Sequence, residues 1–261
     1  MNLIEKRLDV AKIAAAEAAK LIRQYYQLQK EGRLGVELKA DTSPVTQADI
    51  ESEKVIREIL LNEFPNDGFY GEETGQANID AEFVWLIDPI DGTKSFIREY
   101  PFFSTQIACM QNNELLIGVS SAPQFEEIAF AIKDQFAYLN NDAITVSDIA
   151  NYSQATLSLG NIGTIASRPE WNQLGQLIPR FNRIRGYGDF YHYHLLAAGK
   201  IDAVIESDLN ILDIAALKVI VEAAGGKVSQ LNGEPVNLNT RDLLATNGHL
   251  HNQLLEELNY H

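Results

Sequence analysis

Residues 85–96 read WLIDPIDGTKSF. Trp85, Leu86 and Ile87 form an apolar run that ends on Asp88, and Pro89 biases the residues before it towards extended backbone. Asp91 follows, then Gly92 and Thr93. The expectation is a short strand running into a tight turn on which two carboxylates reach one cation. Gly92 would let the backbone approach a ligand closely, and the N–H groups opening a following helix would face an anion. Oxygen donors of this kind suit Mg²⁺, which keeps positions for water and substrate phosphate. The plainer alternative is a turn in which Asp88 caps a helix. The other acids of the chain weigh against it.

Working outward, GEETG (71–75) closes another short strand. Glu72 and Glu73 are adjacent and point different ways, so at most one faces the Asp88 turn. SPVTQAD (43–49) puts Asp49 in the first turn of a helix, where a carboxylate also favours the helix dipole. ILDIAALKVIVEAAGG (211–226) sets Asp213 just before a helix with Ile214, Leu217, Ile220 and Val221 on its apolar face, ending at Gly225–Gly226. An N-cap role for Asp213 does not exclude metal ligation. Glu72, Asp88, Asp91 and Asp213 gathered together would repel one another, and bound divalent cations would make the cluster tolerable.

The rest of the chain frames this site. Its 261 residues are 46% hydrophobic and suffice for one large domain or two intimate lobes. Lys+Arg 21 against Asp+Glu 36 gives a charge of -15, which disfavours bare nucleic acid and anionic membranes as partners. A single cysteine, Cys109, excludes an intramolecular disulfide and a cysteine-rich zinc site. The N-terminal residues carry no apolar signal segment and no membrane span is visible, so a cytoplasmic protein is expected. Ile4, Leu8, Ala11, Ala15, Ala18 and Ile22 repeat at helical steps, and the glycine-bearing segment after them reads as a hairpin or mobile loop. Short strands at 68–71 and 84–87 and an antiparallel pair at 103–110 and 115–121 follow. Beyond about residue 150, strand-like and helix-like segments alternate as in an α/β lobe. Two lobes, 1–145 with most of the candidate cation ligands and 146–261 with Asp213, are expected to pack as one unit.

SPVTQAD, GEE, WLIDPIDGT and LDIAALKVIVEAAGG, in this order, resemble the inositol monophosphatase superfamily over essentially the whole chain. The resemblance implies an α/β class protein with the layered α/β/α/β/α sugar-phosphatase fold. It also implies Mg²⁺-dependent phosphomonoester hydrolysis and a homodimer. By the same resemblance, Glu72, Asp88 and the Ile90 carbonyl hold a first metal, and Asp88, Asp91 and Asp213 a second. Glu72 shares a third, weaker ion and counts with Asp49 and Thr93 as catalytic, the latter two polarising the attacking water. Gly92 and Thr93 amides hold phosphate, and Asp213 borders the substrate. Leu212 stands where the family usually has Trp, which removes no ligand.

Within the superfamily the chain looks most similar to the histidinol-phosphate phosphatase branch. KADTSPVTQAD, DPIDGTKSFI, GYGDFYHYHLLAAGKID and LLATNGHLHNQLLEEL support this, with Gly188–Tyr191 the most discriminating piece. The wall at 186–213 holds Asp189, Glu206 and Asp208 against Lys200 as its only cation, which suits the ammonium and imidazole of histidinol phosphate. His192 and His194 read as helix-face residues rather than ligands. The alternatives are an inositol-1-monophosphatase, a 3′(2′),5′-bisphosphate nucleotidase sharing DGTKSF, or a regulator binding transcription machinery. The full carboxylate set favours an enzyme acting on a small phosphorylated metabolite. Lys39 and Asp41, beyond Gly32 and Gly35, are candidates for a lid over the site.

Overall fold

The computed structural model describes residues 2–38 and 44–260; Lys39 and Asp41, and with them the lid expectation, lie outside the described residues. Helix α1 (Leu3–Lys30) opens the chain on a capping box made by Asn2 and Glu5. It runs past the expected end into QLQK, because Tyr26 buries against Phe96 and Phe103 and carries the last turns with it. Strands β1 (Val36–Leu38) and β2 (Pro44–Thr46) pair antiparallel as a hairpin and lead into α2 (Gln47–Glu63).

Next come β3 (Gly68–Gly71), β4 (Gly75–Ala77), β5 (Phe83–Asp91) and the short helix α3 (Thr93–Ile97). After it run β6 (Ser104–Gln111), β7 (Glu114–Ala122), β8 (Glu127–Ile132), β9 (Ala137–Leu139) and β10 (Asp142–Ile144). Strands β3 to β10 form one sheet in the order β10-β9-β8-β7-β6-β5-β3-β4, antiparallel except where β3 runs parallel to β5. The remainder alternates: β11 (Thr156–Leu159), α4 (Ile162–Ala166), α5 (Trp171–Leu177), β12 (Arg183–Arg185), α6 (Asp189–Ala197), β13 (Ala203–Ser207), α7 (Ile211–Ala223), β14 (Lys227–Ser229), β15 (Asp242–Thr246) and α8 (His251–Leu258). These strands make a second sheet in the order β12-β11-β13-β15-β14.

β5 shows how the layers are built. Its residues are apolar on both faces, as a strand covered on both sides must be. Phe83, Trp85 and Ile87 enter the core shared with α1 and α2, while Val84 and Leu86 enter the core shared with α6 and α7. The far face of the second sheet packs on α5 and α8 through Leu157, Leu174, Leu244 and Leu254. The stack is therefore helix, sheet, helix, sheet, helix, as expected. Helix α7 comes from the C-terminal half of the chain yet lies on the first sheet, against β6 and β7. This places the start of α7 beside the end of β5. No helix among the described residues is long and apolar enough to cross a membrane.

Candidate active site

A regular strand would turn Asp88 and Asp91 to opposite faces. Neither residue lies on a turn beyond the strand, as expected from sequence; both belong to β5, whose pairing shifts between them. Asp88 faces Gln106 and Asp91 faces Ser104, so three steps along β5 span two along β6. The extra residue is a β-bulge at Pro89–Ile90. It drops Ile90 into the core beneath α1 and α2 and returns Asp91 to the face that carries Asp88. The Ile90 N–H donates to Asp88 Oδ1 at 2.9 Å, and Thr105 Oγ1 donates to the Pro89 carbonyl at 2.9 Å, fixing the bulge.

Two helix starts aim further carboxylates at this strand end. Thr46 caps α2, and Asp49 completes the capping box: its Oδ2 accepts from the Thr46 N–H at 2.8 Å and hydroxyl at 2.6 Å. Its other oxygen, Oδ1, accepts from Thr93 Oγ1 at 3.1 Å. Helix α7 repeats the device with Asn210 as cap and Asp213 inside the first turn, where Asp213 Oδ2 accepts from the Asn210 N–H at 2.8 Å. Asp213 is thus not the residue before the helix, as its apolar period suggests. Both helices point their positive ends at the acids.

One oxygen from each of Asp88, Asp91 and Asp213 lies within 4.8 Å of the others. Glu72, just beyond β3, stands beside Asp88, and its N–H donates to the Ile87 carbonyl at 3.1 Å. The residues bound a cleft of about 210 Å³ that also takes in the Ile90 carbonyl region, Gly92 and Thr93. Glu73 does not line it. Gly92 is left-handed, at φ 92°, and an added Cβ would sit 2.5 Å from the Phe102 carbonyl oxygen, so glycine is required there. The Thr93 hydroxyl stands between two acceptors, Asp49 Oδ1 and the Ile90 carbonyl at 3.0 Å.

Burial pushes the Asp88 and Asp91 carboxyls well above the usual range, and neighbouring carboxylates push further: Glu72 first for Asp88, Asp189 first for Asp91. Asp213 is raised to about 7, again by burial foremost. Oxygen donors that hold protons at each other's expense fit a hard divalent cation, whose charge would release those protons.

The far wall of the cleft holds Asp189 and Glu206. Asp189 opens α6 with a left-handed backbone, φ 46°, after Gly188 at 72°. Burial and the Glu206 charge raise its carboxyl to about 6. Glu206 is buried, and its Oε2 accepts from Tyr193 at 2.7 Å and meets His192 Nε2 at 2.9 Å. Asp91, Asp189, Glu206 and Asp213 share an adjoining space of about 70 Å³ with Asn161. Sequence reasoning missed Asn161, which follows β11 and has no motif around it. Within 186–213 Lys200 is the only cation, but Lys94 of DGTKSF also acts on Asp189, and its neighbour Ser95 hydrogen-bonds to that carboxyl. Asp208 lines the cleft mouth.

His194, as expected a helix residue rather than part of the cleft, belongs to a buried polar string leading away from the site. Ser104 Oγ donates to Asp91 Oδ2 at 3.4 Å. Gln106 Nε2 donates to Ser104 Oγ at 2.7 Å and to Ser120 Oγ at 3.0 Å. His194 Nε2 meets Ser120 Oγ at 2.8 Å, and its Nδ1 meets Glu127 Oε2 at 3.0 Å, near the surface.

A layered α/β protein with a buried, oxygen-only carboxylate cluster beside helix-terminal amides is built as a metal-dependent hydrolase. The sequence pattern of the inositol monophosphatase family matches residues 4–261, and the chain belongs to that family of metal-dependent phosphomonoesterases. It is 34% identical over 231 residues to a histidinol-phosphatase of Mycobacterium tuberculosis, covering 87% of this chain and 88% of that one. It is 32% identical over 262 residues to an inositol-1-monophosphatase of Synechocystis, covering 98% and 88%. An inositol monophosphatase structure from Zymomonas mobilis superposes with a TM-score of 0.85 at 31% identity, covering 100% of both chains.

Proposed function

We propose that the chain hydrolyses histidinol phosphate to histidinol and phosphate. The observation that carries this reading is the pair of carboxylates, Asp189 and Glu206, that line the space adjoining Asp91 and Asp213. Histidinol phosphate is cationic at its amino-imidazole end, inositol 1-phosphate is neutral there, and a bisphosphate nucleotide is anionic. Histidinol-phosphatases among the relatives add support. Lys94 beside Asp189 offsets part of the wall's charge without cancelling both carboxylates.

In this reading Glu72, Asp88, Asp91, Asp213 and the Ile90 carbonyl hold two Mg²⁺ ions. A bound divalent cation supplies Lewis-acid polarisation of the phosphoryl group and lowers the pKa of water. The first-turn amides at Gly92 and Thr93 receive phosphate oxygens. Thr93 donates its proton to Asp49 Oδ1, which leaves Thr93 Oγ1 lone pairs to accept from the attacking water and orient it. Burial raises the Asp49 carboxyl, which makes it a better proton acceptor. The lobes 1–145 and 146–261 then share one site, the first giving Glu72, Asp88 and Asp91 and the second Asp213 and the wall.

Phosphate release is measured with histidinol phosphate, inositol 1-phosphate and adenosine 3′,5′-bisphosphate at equal concentration. Histidinol phosphate is expected to be fastest. Asp189→Asn should raise KM for it roughly ten- to a hundredfold, the worth of one charge-assisted hydrogen bond, and leave inositol 1-phosphate nearly unchanged. Equal losses on both substrates would make Asp189 structural and favour the inositol phosphatase reading. A preference for the bisphosphate would defeat the charge argument.

A further inference from the structure

Helix α2 carries a second fully buried acid one turn beyond Asp49. Glu53 is 0% exposed, yet it faces no Lys or Arg in any ion pair among the described residues. A carboxylate so placed is costly unless its oxygens are met by donors. Both are met by backbone. Glu53 Oε2 accepts from the Glu73 N–H at 2.8 Å, and Oε1 from the Thr74 N–H at 2.8 Å. The Glu72 N–H before them is fixed to the Ile87 carbonyl, one residue ahead of Asp88. Three consecutive amides are thereby pinned, one to β5 and two to Glu53, and the residue they bracket is Glu72. Gly71 completes the arrangement, because a Cβ there would sit 2.5 Å from the Glu53 carboxylate.

We propose that Glu53 is a positioning residue for metal binding: its carboxylate sets the backbone turn that aims Glu72 into the cleft beside Asp88. The proposal rests on the reading of Glu72 as a metal ligand. Groups that orient a ligand typically change metal affinity by roughly ten- to a hundredfold when removed. Glu53→Gln keeps the shape but turns an amide N–H towards a backbone N–H, so one of the two amides loses its acceptor.

The test is calorimetric titration of Mn²⁺ into wild type, Glu53→Gln, Glu72→Gln and the double variant, each first melted in chelator to establish that it folds. Glu53→Gln is expected to weaken Mn²⁺ binding by roughly ten- to a hundredfold. The double variant should bind no more weakly than Glu72→Gln alone, since Glu53 acts through Glu72. A part played only in packing would instead give multiplying losses, and that result overturns the proposal, as does wild-type affinity in Glu53→Gln. If Glu72→Gln itself binds Mn²⁺ as wild type does, the ligand reading of Glu72 fails and the proposal falls with it. Should Glu53→Gln not fold, Gly71→Ala displaces the same carboxylate from the other side. It is expected to weaken Mn²⁺ likewise, and unchanged affinity there overturns the proposal.

Discussion

The hydroxyl of Thr93 has one proton and two acceptors in reach, Asp49 Oδ1 and the Ile90 carbonyl. A proton given to Asp49 couples the two side chains into one unit. Thr93→Ala and Asp49→Asn should each lower kcat, by up to roughly 10²–10⁴ for lost proton-transfer assistance. Their double variant should fall far short of the product of the two losses, as residues acting together do. Fully multiplying losses would reduce Asp49 to its capping duty. That duty is separately measurable, because Oδ2 belongs to the Thr46 box and Oδ1 to Thr93. Thr46→Ala should cost about 1 kcal/mol of stability through the cap, read by denaturant titration. Asp49 was legible as a first-turn acid; that it divides its two oxygens between cap and site was not.

At the scale of elements, apolar periods disclosed the long helices, the β6–β7 pair and the first part of β5. They did not disclose the bulge. Period-two reading sets Asp88 and Asp91 on opposite faces, and Pro89 inside a strand was the one available sign that the ladder is interrupted there. β4 and β14 escaped because each is three residues long with no alternation to detect. Glu53 escaped for a different reason: its partners are backbone amides far along the chain, and backbone leaves no mark in a residue pattern. The same blindness applies to Arg7 of α1. Arg7 is buried and pairs with Asp67 at 2.8 Å, stacks 3.7 Å from the Phe83 ring centre, and shares Asp67 with Trp85 Nε1 at 3.0 Å. Asp67→Ala leaves the guanidinium buried without its counter-charge and should cost about 3–5 kcal/mol in urea unfolding. The Mn²⁺ affinity of the folded variant should not change, since this cluster lies apart from the cleft.

For the whole molecule, the acidic site makes stability depend on pH in an unusual direction. An unfolded aspartate titrates near ~3.9. In the folded, metal-free chain Asp213 is raised to about 7, Asp189 to about 6, and Asp88 and Asp91 are raised as well. Above the unfolded value the folded state holds more protons at these four acids, and their part of the stability falls as pH rises, against the opposing gain from buried His251, whose imidazole pKa is lowered to about 4. In excess chelator, Tm should drop between about pH 5 and pH 7.5, a window in which ordinary carboxylates are already ionised. With saturating Mg²⁺ the drop should shrink or reverse, because the cation takes the place of the protons. A chelator profile that is flat or rises across this window would show that the cluster is not held under such repulsion. The membership of the four acids in one site was readable because they sit in three motifs, GEE, DPIDGT and the opening of α7, and the five layers followed from the family resemblance those motifs carry. The mutual distances of the acids were not readable, since α7 crosses to the first sheet by a route that no local pattern records.

The string from Asp91 to Glu127 looks like a wire for protons and cannot be one. Grotthuss transfer needs every link to receive a proton on one side and release one on the other. A single atom, Gln106 Nε2, makes the contacts to both Ser104 and Ser120. An amide nitrogen that gives in both directions receives in neither. The Asp91 carboxyl is thus insulated from the surface at Glu127, and a proton it sheds does not leave along this string.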